Sequence, residues 1–164
     1  MKKIITLALL LSFGLINAQA FKGKGDAKFN VGANIQDGGT GIQASADFGL
    51  GENLSYGLVG SYLLGVKEVL GETPEFKDRF DAKFRINANL GSVLKIDEKF
   101  DVYPGLSLGL KNFGGHVGAR YFFTEGFGIF TEAGFPIAKY DNKNSLFNDL
   151  NNQFTFNIGA SFNM

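Results

Sequence analysis

Eight times between Asp26 and Met164 the chain alternates polar and apolar side chains over nine to thirteen residues. That repetition constrains the fold more than any single motif. The C-terminus shows it most plainly. Phe154, Phe156, Ile158, Ala160, Phe162 and Met164 share one parity, and Thr155, Asn157, Gly159, Ser161 and Asn163 share the other. Strand side chains alternate faces with period two, so each segment reads as a strand with one apolar and one polar face. The segments are 26–36, 41–50, 54–66, 80–90, 100–111, 115–123, 127–138 and 153–164. No helical period competes with them after residue 20. Pro104, inside the fifth segment, lacks a ladder donor and calls for a bulge or a special pairing.

These segments are longer than the five or six residues of ordinary soluble strands, and they match the length of a tilted strand that crosses a bilayer. The polar faces carry Asp26, Lys28 and Asn30 in the first segment and Gln43, Ser45 and Asp47 in the second. Asp81, Lys83, Arg85, Asn87 and Asn89 follow in the fourth, then Asp101, Lys111, His116, Arg120 and Glu132. A soluble barrel would turn these to water; a membrane barrel would turn them into its lumen. Periodicity is the same in both cases.

Three features favour the membrane arrangement. The apolar face is large and aliphatic in every segment, and no edge strand is blunted by outward charge. Aromatic residues gather towards segment ends (Phe48, Tyr56, Phe123, Phe127, Phe162), where an interfacial girdle belongs. Connections also alternate. If the first strand rises from the periplasm, far-side loops fall at 37–40, 67–79, 112–114 and 139–152, and near-side turns at 51–53, 91–99 and 124–126. Two far-side loops are long and polar, while two near-side turns have three residues, which is the outer-membrane habit. The Asn-rich last loop (Asn142, Asn144, Asn148, Asn151, Asn152) is expected to be solvated.

The N-terminus agrees. Lys2 and Lys3 precede an apolar run from Ile4 to Ile16, followed by the small-x-small site Ala18-Gln19-Ala20. Its 13 residues fall short of the roughly 20 that a spanning helix needs, so residues 1–20 read as a secretory signal peptide cut after Ala20. Removing them takes two of the 16 basic residues, leaving 14 against 16 acidic in the domain 21–164. There is no polybasic stripe, so nucleic acid is not an expected partner. Cysteine is absent, so an exported chain must be held by its core, a closed sheet or a membrane.

The C-terminal Asn157-x-Gly159-x-x-Phe162-x-Met164 resembles the β-signal read by the outer-membrane assembly machinery, with Met164 where the family most often has Phe. The hairpin 117–134 is similar to hairpins of small porin-like outer-membrane proteins. The resemblance, across the mature chain, is to small eight-stranded outer-membrane barrels of the OmpA/OmpX type. It implies an all-β, closed, eight-stranded antiparallel up-and-down transmembrane β-barrel in the outer membrane of a Gram-negative cell. Outer-membrane lipid and the assembly machinery would be its partners, with no extracellular partner indicated and a monomeric state expected. Asn157, Gly159, Phe162 and Met164 are then the candidate assembly signal.

Eight strands enclose an interior just wide enough for side chains to fill. Asp47, Asp81, Lys83, Arg85, His116, Arg120 and Glu132 are therefore expected to form a lumen charge network rather than line a pore. If the turn 124–126 sets the register, Gly118 lies opposite Glu132 and Arg120 opposite Phe130, which makes Arg120 and Glu132 diagonal neighbours. Catalysis is not expected. Deacylases of lipid A among such barrels place His-x-Ser on one strand, and here His116 is followed by Val117 and Gly118, with no nucleophile. One His and no Cys give no metal or cofactor site. The expected role is structural or carried by the surface loops. A soluble secreted barrel with an apolar ligand inside is the alternative, ahead of a small porin or a lipid A-modifying enzyme.

Overall fold

The computed structural model describes residues 19–140 and 146–164. The expected leader lies outside them except for Gln19 and Ala20, as do Asn142 and Asn144. Eight antiparallel strands close into one barrel in sequence order: β1 (Ala27–Gln36), β2 (Gly39–Gly49), β3 (Leu54–Val66), β4 (Phe80–Ala88), β5 (Phe100–Gly109), β6 (Asn112–Phe122), β7 (Phe127–Lys139) and β8 (Thr155–Asn163). The seam is made by β1 and β8, with Val31 opposite Ala160 and Gly32 opposite Gly159. Two single-turn helices, α1 (Phe76–Arg79) and α2 (Gly91–Leu94), lie in the β3–β4 and β4–β5 connections. Four residues are too few to leave a 3.6-residue period in the sequence, so periodicity missed both.

The polar parity faces inward throughout. Lys28, Asn30, Asn34, Gln43, Ser45, Asp47, Arg85 and Asn157 are buried, while Phe29, Val31, Ile42, Leu58, Ile86, Leu108, Val117, Ile129 and Ile158 are exposed. The β6–β7 register also follows the turn, with Gly118 opposite Glu132 and Arg120 opposite Phe130.

Two far-side connections are shorter than the alternation suggested, because β2 and β6 begin earlier, at Gly39 and Asn112. Register shifts opposite Thr40/Gly41 and Phe113/Gly114 leave an extra residue on the partner strands, Leu64 on β3 and Ile137 on β7. The first residues of β2 and β6 keep their strands' parity but are mostly glycine and polar types (Gly39, Thr40, Asn112, Gly114), so they look like loop in the sequence. Lys111 consequently falls in the β5–β6 turn rather than on a strand. Pro104 is accommodated by pairing rather than by a bulge. The β4–β5 ladder stops at Asn87 opposite Gly105, and beyond the proline Leu90 donates to the Val102 carbonyl at 2.9 Å.

Both mouths of the barrel are stoppered. At the near end, which holds the start of β1 and the end of β8, Ala20 packs on Phe122 inside the rim. At the far end Phe147 and Leu150 pack on Leu63, against half-buried Val66.

Candidate functional site: the charged lumen

The middle of the lumen is built around Arg85 on β4. Its Nη2 and Nε donate to the two Asp47 oxygens at 2.6 and 2.7 Å, a bidentate pair with the second strand. Nη1 reaches across the barrel to Glu132 on β7 at 2.7 Å, and Nη2 also donates to Ser45 at 3.0 Å. Asn87 donates to Asp47 at 3.2 Å and Gln43 to Glu132 at 3.3 Å. Ionised groups this far from water persist only when paired and hydrogen-bonded, and this cluster meets that condition.

Arg120 is displaced from the partner its register suggested. The expected diagonal contact with Glu132 is not made; Arg120 lies 3.2 Å from Asp101 and 3.7 Å from Asp47. The cause is Tyr103, whose ring occupies the hollow over Gly118, where a Cβ would collide with it. Arg120 sits over that ring at 4.3 Å from its centroid. The exchange is reciprocal: His116 on β6 fills the hollow over Gly105 on β5. Its Nε2 is 2.8 Å from Asn87 Oδ1.

Lys83 and Asp81 form a separate pair at 3.5 Å, with Asp81 also accepting from the Leu110 amide at 3.2 Å. The expected network is therefore two groups. Asp47, Arg85, Arg120 and Glu132 belong to the middle, with His116 joined through Asn87, and Asp81 and Lys83 stand nearer the far end. Two members were missed. Asp101 and Tyr103 share the inward parity of β5, and that parity is the signal that finds them. Towards the near mouth Lys28 joins Asp26 at 2.5 Å and lies over the Phe122 ring.

Amides fill the far end. Asn34 donates to Asn157 at 2.7 Å, and Gln36 to Asn34 at 3.1 Å. The Asn151 amide donates to Gln36 Oε1 at 2.8 Å, its side chain to the Arg79 carbonyl at 3.0 Å, and Asn112 donates to both Asn151 and Asn152. Asn151 and Asn152 are thus buried, correcting the expectation of a fully solvated last loop. Outside the lumen, the exposed Lys77 ammonium is held above the usual lysine value by its hydrogen bond to Glu75 and that group's charge, in a pair open to water. The lumen space lined by Gln43, Arg85, His116 and Glu132 amounts to about 20 Å³, room for about one water. Among the described residues no cluster of His, Cys, Asp and Glu is placed to hold a metal ion.

The candidate assembly signal does not form one surface. Asn157 and Gly159 face the lumen, and Gly159 has no room for a side chain against the β1 backbone at Val31 and Gly32. Phe162 faces outward between Phe29 and Phe127, with ring centroids 6.5 and 5.7 Å away. Met164 follows β8 and donates its amide to Ala27 at 3.0 Å.

A family model matches residues 11–164, nearly the whole chain. The chain belongs to a family of unknown function, DUF6646. Among solved structures, a barrel from work titled "De novo design of transmembrane beta-barrels" matches with a TM-score of 0.58 at 11% identity, over 87% of this chain and 98% of that one. At that identity the likeness concerns the fold. No curated protein matches.

Proposed function

We propose that this member of DUF6646 is a small monomeric outer-membrane β-barrel, exported behind a cleaved leader, with a structural role or one carried by its surface loops. The observation that carries the reading is the inversion of faces. Aliphatic and aromatic side chains cover the outside of a closed sheet, while Lys28, Asp47, Arg85, Asp101 and Arg120 are buried inside it. Water would favour the opposite arrangement, and lipid favours this one. The similar fold of a barrel described as transmembrane is in keeping with it. Aromatic side chains are linked around the near end, Phe48–Tyr56 at 5.6 Å, Phe123–Phe127 at 6.3 Å and Phe127–Phe162 at 5.7 Å, as an interfacial belt would require. A closed barrel leaves no strand edge to recruit a second copy.

The soluble alternative needs an apolar interior, and the lumen offers ion pairs and amides instead. Passage of solute would require both stoppers to leave. His116 is bonded to Asn87, with Gly118 where a deacylase would carry serine, so it reads as a filling group rather than a catalytic base.

Cell fractionation tests the reading, with electrophoresis before and after boiling. The expected result is an outer-membrane protein that needs detergent for extraction and changes mobility on boiling. Recovery as a detergent-free periplasmic protein would favour the soluble barrel. The mass-spectrometric lipid A profile should be the same with and without the protein, and a change dependent on His116 or Glu132 would favour the enzyme.

A further inference from the structure

Residues 19–26 turn back into the near mouth and become part of the barrel. Ala20 is 1% exposed, packed on Phe122, and its amide donates to the Glu98 carbonyl at 2.7 Å. Phe21 is 7% exposed. Farther along, the Gly25 amide donates to Gly49 and the Gly49 amide to Asp26, fastening the segment to the end of β2. Gln19, by contrast, is exposed, on the rim of an open groove with Lys95, Ile96 and Asp97.

We infer that the leader is cut between Ala18 and Gln19, so that the mature chain begins at Gln19 and not at Phe21. The inference rests on the reading above, in which a leader is removed. A cut after Ala20 would delete a buried methyl group and take away the amide that the Glu98 carbonyl accepts from. It would also turn the Phe21 nitrogen into an ammonium on a residue almost wholly buried, and an unpaired charge is tolerated there least of all. A cut after Ala18 incurs none of these costs, because the new ammonium forms on a solvent-exposed residue. Both registers put an alanine immediately before the scissile bond, as leader removal requires. The small-x-small pattern alone favours Ala18-Gln19-Ala20; what the folded mouth retains favours the cut two residues earlier. An N-terminal glutamine can then close on itself. Its α-amino nitrogen attacks the side-chain carboxamide carbon, a C–N bond forms, and the amide nitrogen leaves as ammonia, giving a neutral five-membered lactam.

The test is mass spectrometry of the N-terminal peptide from protein purified out of the cell envelope. A peptide starting at Gln19 is expected, as the free amine or lighter by one ammonia, and either form reports the same cut. A peptide starting at Phe21 overturns the inference and leaves the exported-barrel reading standing. An intact Met1 overturns both. Precursor processing, read as the shift from precursor to mature size, gives a second measurement that does not depend on folding. Ala20→Leu should be processed like wild type, while Ala18→Leu should accumulate precursor. Accumulation of precursor by Ala20→Leu, whatever Ala18→Leu does, would place the cut after Ala20.

Discussion

The middle of the barrel and its far end fill the same narrow space with different chemistry. In the middle, ionised side chains from strands on opposite sides meet, Arg85 bridging Asp47 on β2 and Glu132 on β7. At the far end neutral amides from Gln36, Asn112, Asn151 and Asn152 hold a loop over the opening. Both fillings are buried, and they differ in what opening them would cost. A charge pair deep in the lumen must be complete, because nothing else can solvate its members. A loop over an opening is better held by neutral groups whose exposure, if it lifts, costs less than that of a charge.

The sharpest way to break that comparison is to remove the central cation. Arg85→Met leaves Asp47 and Glu132 buried and uncompensated except for Arg120, 3.7 Å from Asp47. The expected cost is about 3–5 kcal/mol, as for other broken buried pairs. Urea unfolding in detergent micelles measures it. Adding Glu132→Gln should recover part of the loss, since one of the stranded charges is then gone; a double variant no better than the single would mean the cluster is not held by charge.

A somewhat smaller effect is expected on the outside of the middle. Ala44 faces outward, opposite Val31 on β1 and Gly60 on β3. Arginine there should cost about 2–4 kcal/mol in a bilayer, the range for midplane substitutions. Refolding into vesicles should show the loss. Equal folding of Ala44→Arg and wild type would mean that lipid does not cover this face.

The far mouth should respond more mildly. Asn151→Ala removes the side-chain bonds to Gln36 and the Arg79 carbonyl, for about 1–3 kcal/mol by the usual cost of unsatisfied buried partners. Amide exchange should quicken in residues 146–154 and stay slow in the strands. Uniform acceleration everywhere would show that mouth and middle open as one unit.

How much of this could be read in the sequence follows the same division. The faces of the strands were legible because parity alone decides them, and the opposition of Gly118 and Glu132 followed from the short turn before β7. The partner of Glu132 was not legible. Arg85 reaches it across the lumen, a proximity created by closing the sheet, and Tyr103 over Gly118 diverts Arg120 from it. The stoppers were least legible. Ala20 and Phe21 flank the end of the expected leader, and Asn151 and Asn152 fall in an apparent polar loop, where no period marks which side chains turn inward.

The smallest expected effect sharpens the contrast between middle and ends on the outer surface. By its alternation Ala88 is an outward residue like Ala44, and the sequence places both within strands. In the barrel it is the last residue of β4, opposite Leu54 at the start of β3, on the near rim. Tyr56 on the neighbouring strand stacks on Phe84, 6.4 Å away, just inside that rim. A long cationic side chain at Ala88 can therefore bend towards headgroups and water, which one at Ala44 cannot do without leaving its strand position. Ala88→Arg should cost about 0–1 kcal/mol, the interfacial range, against the larger loss at Ala44. The comparison is made by unfolding both variants in the same vesicles and again in detergent micelles. A depth-dependent difference that narrows in micelles is what a bilayer around the barrel requires. Equal losses at Ala44 and Ala88 in vesicles would mean that the outer surface has no midplane and no rim, and that packing rather than lipid sets the cost of charge there.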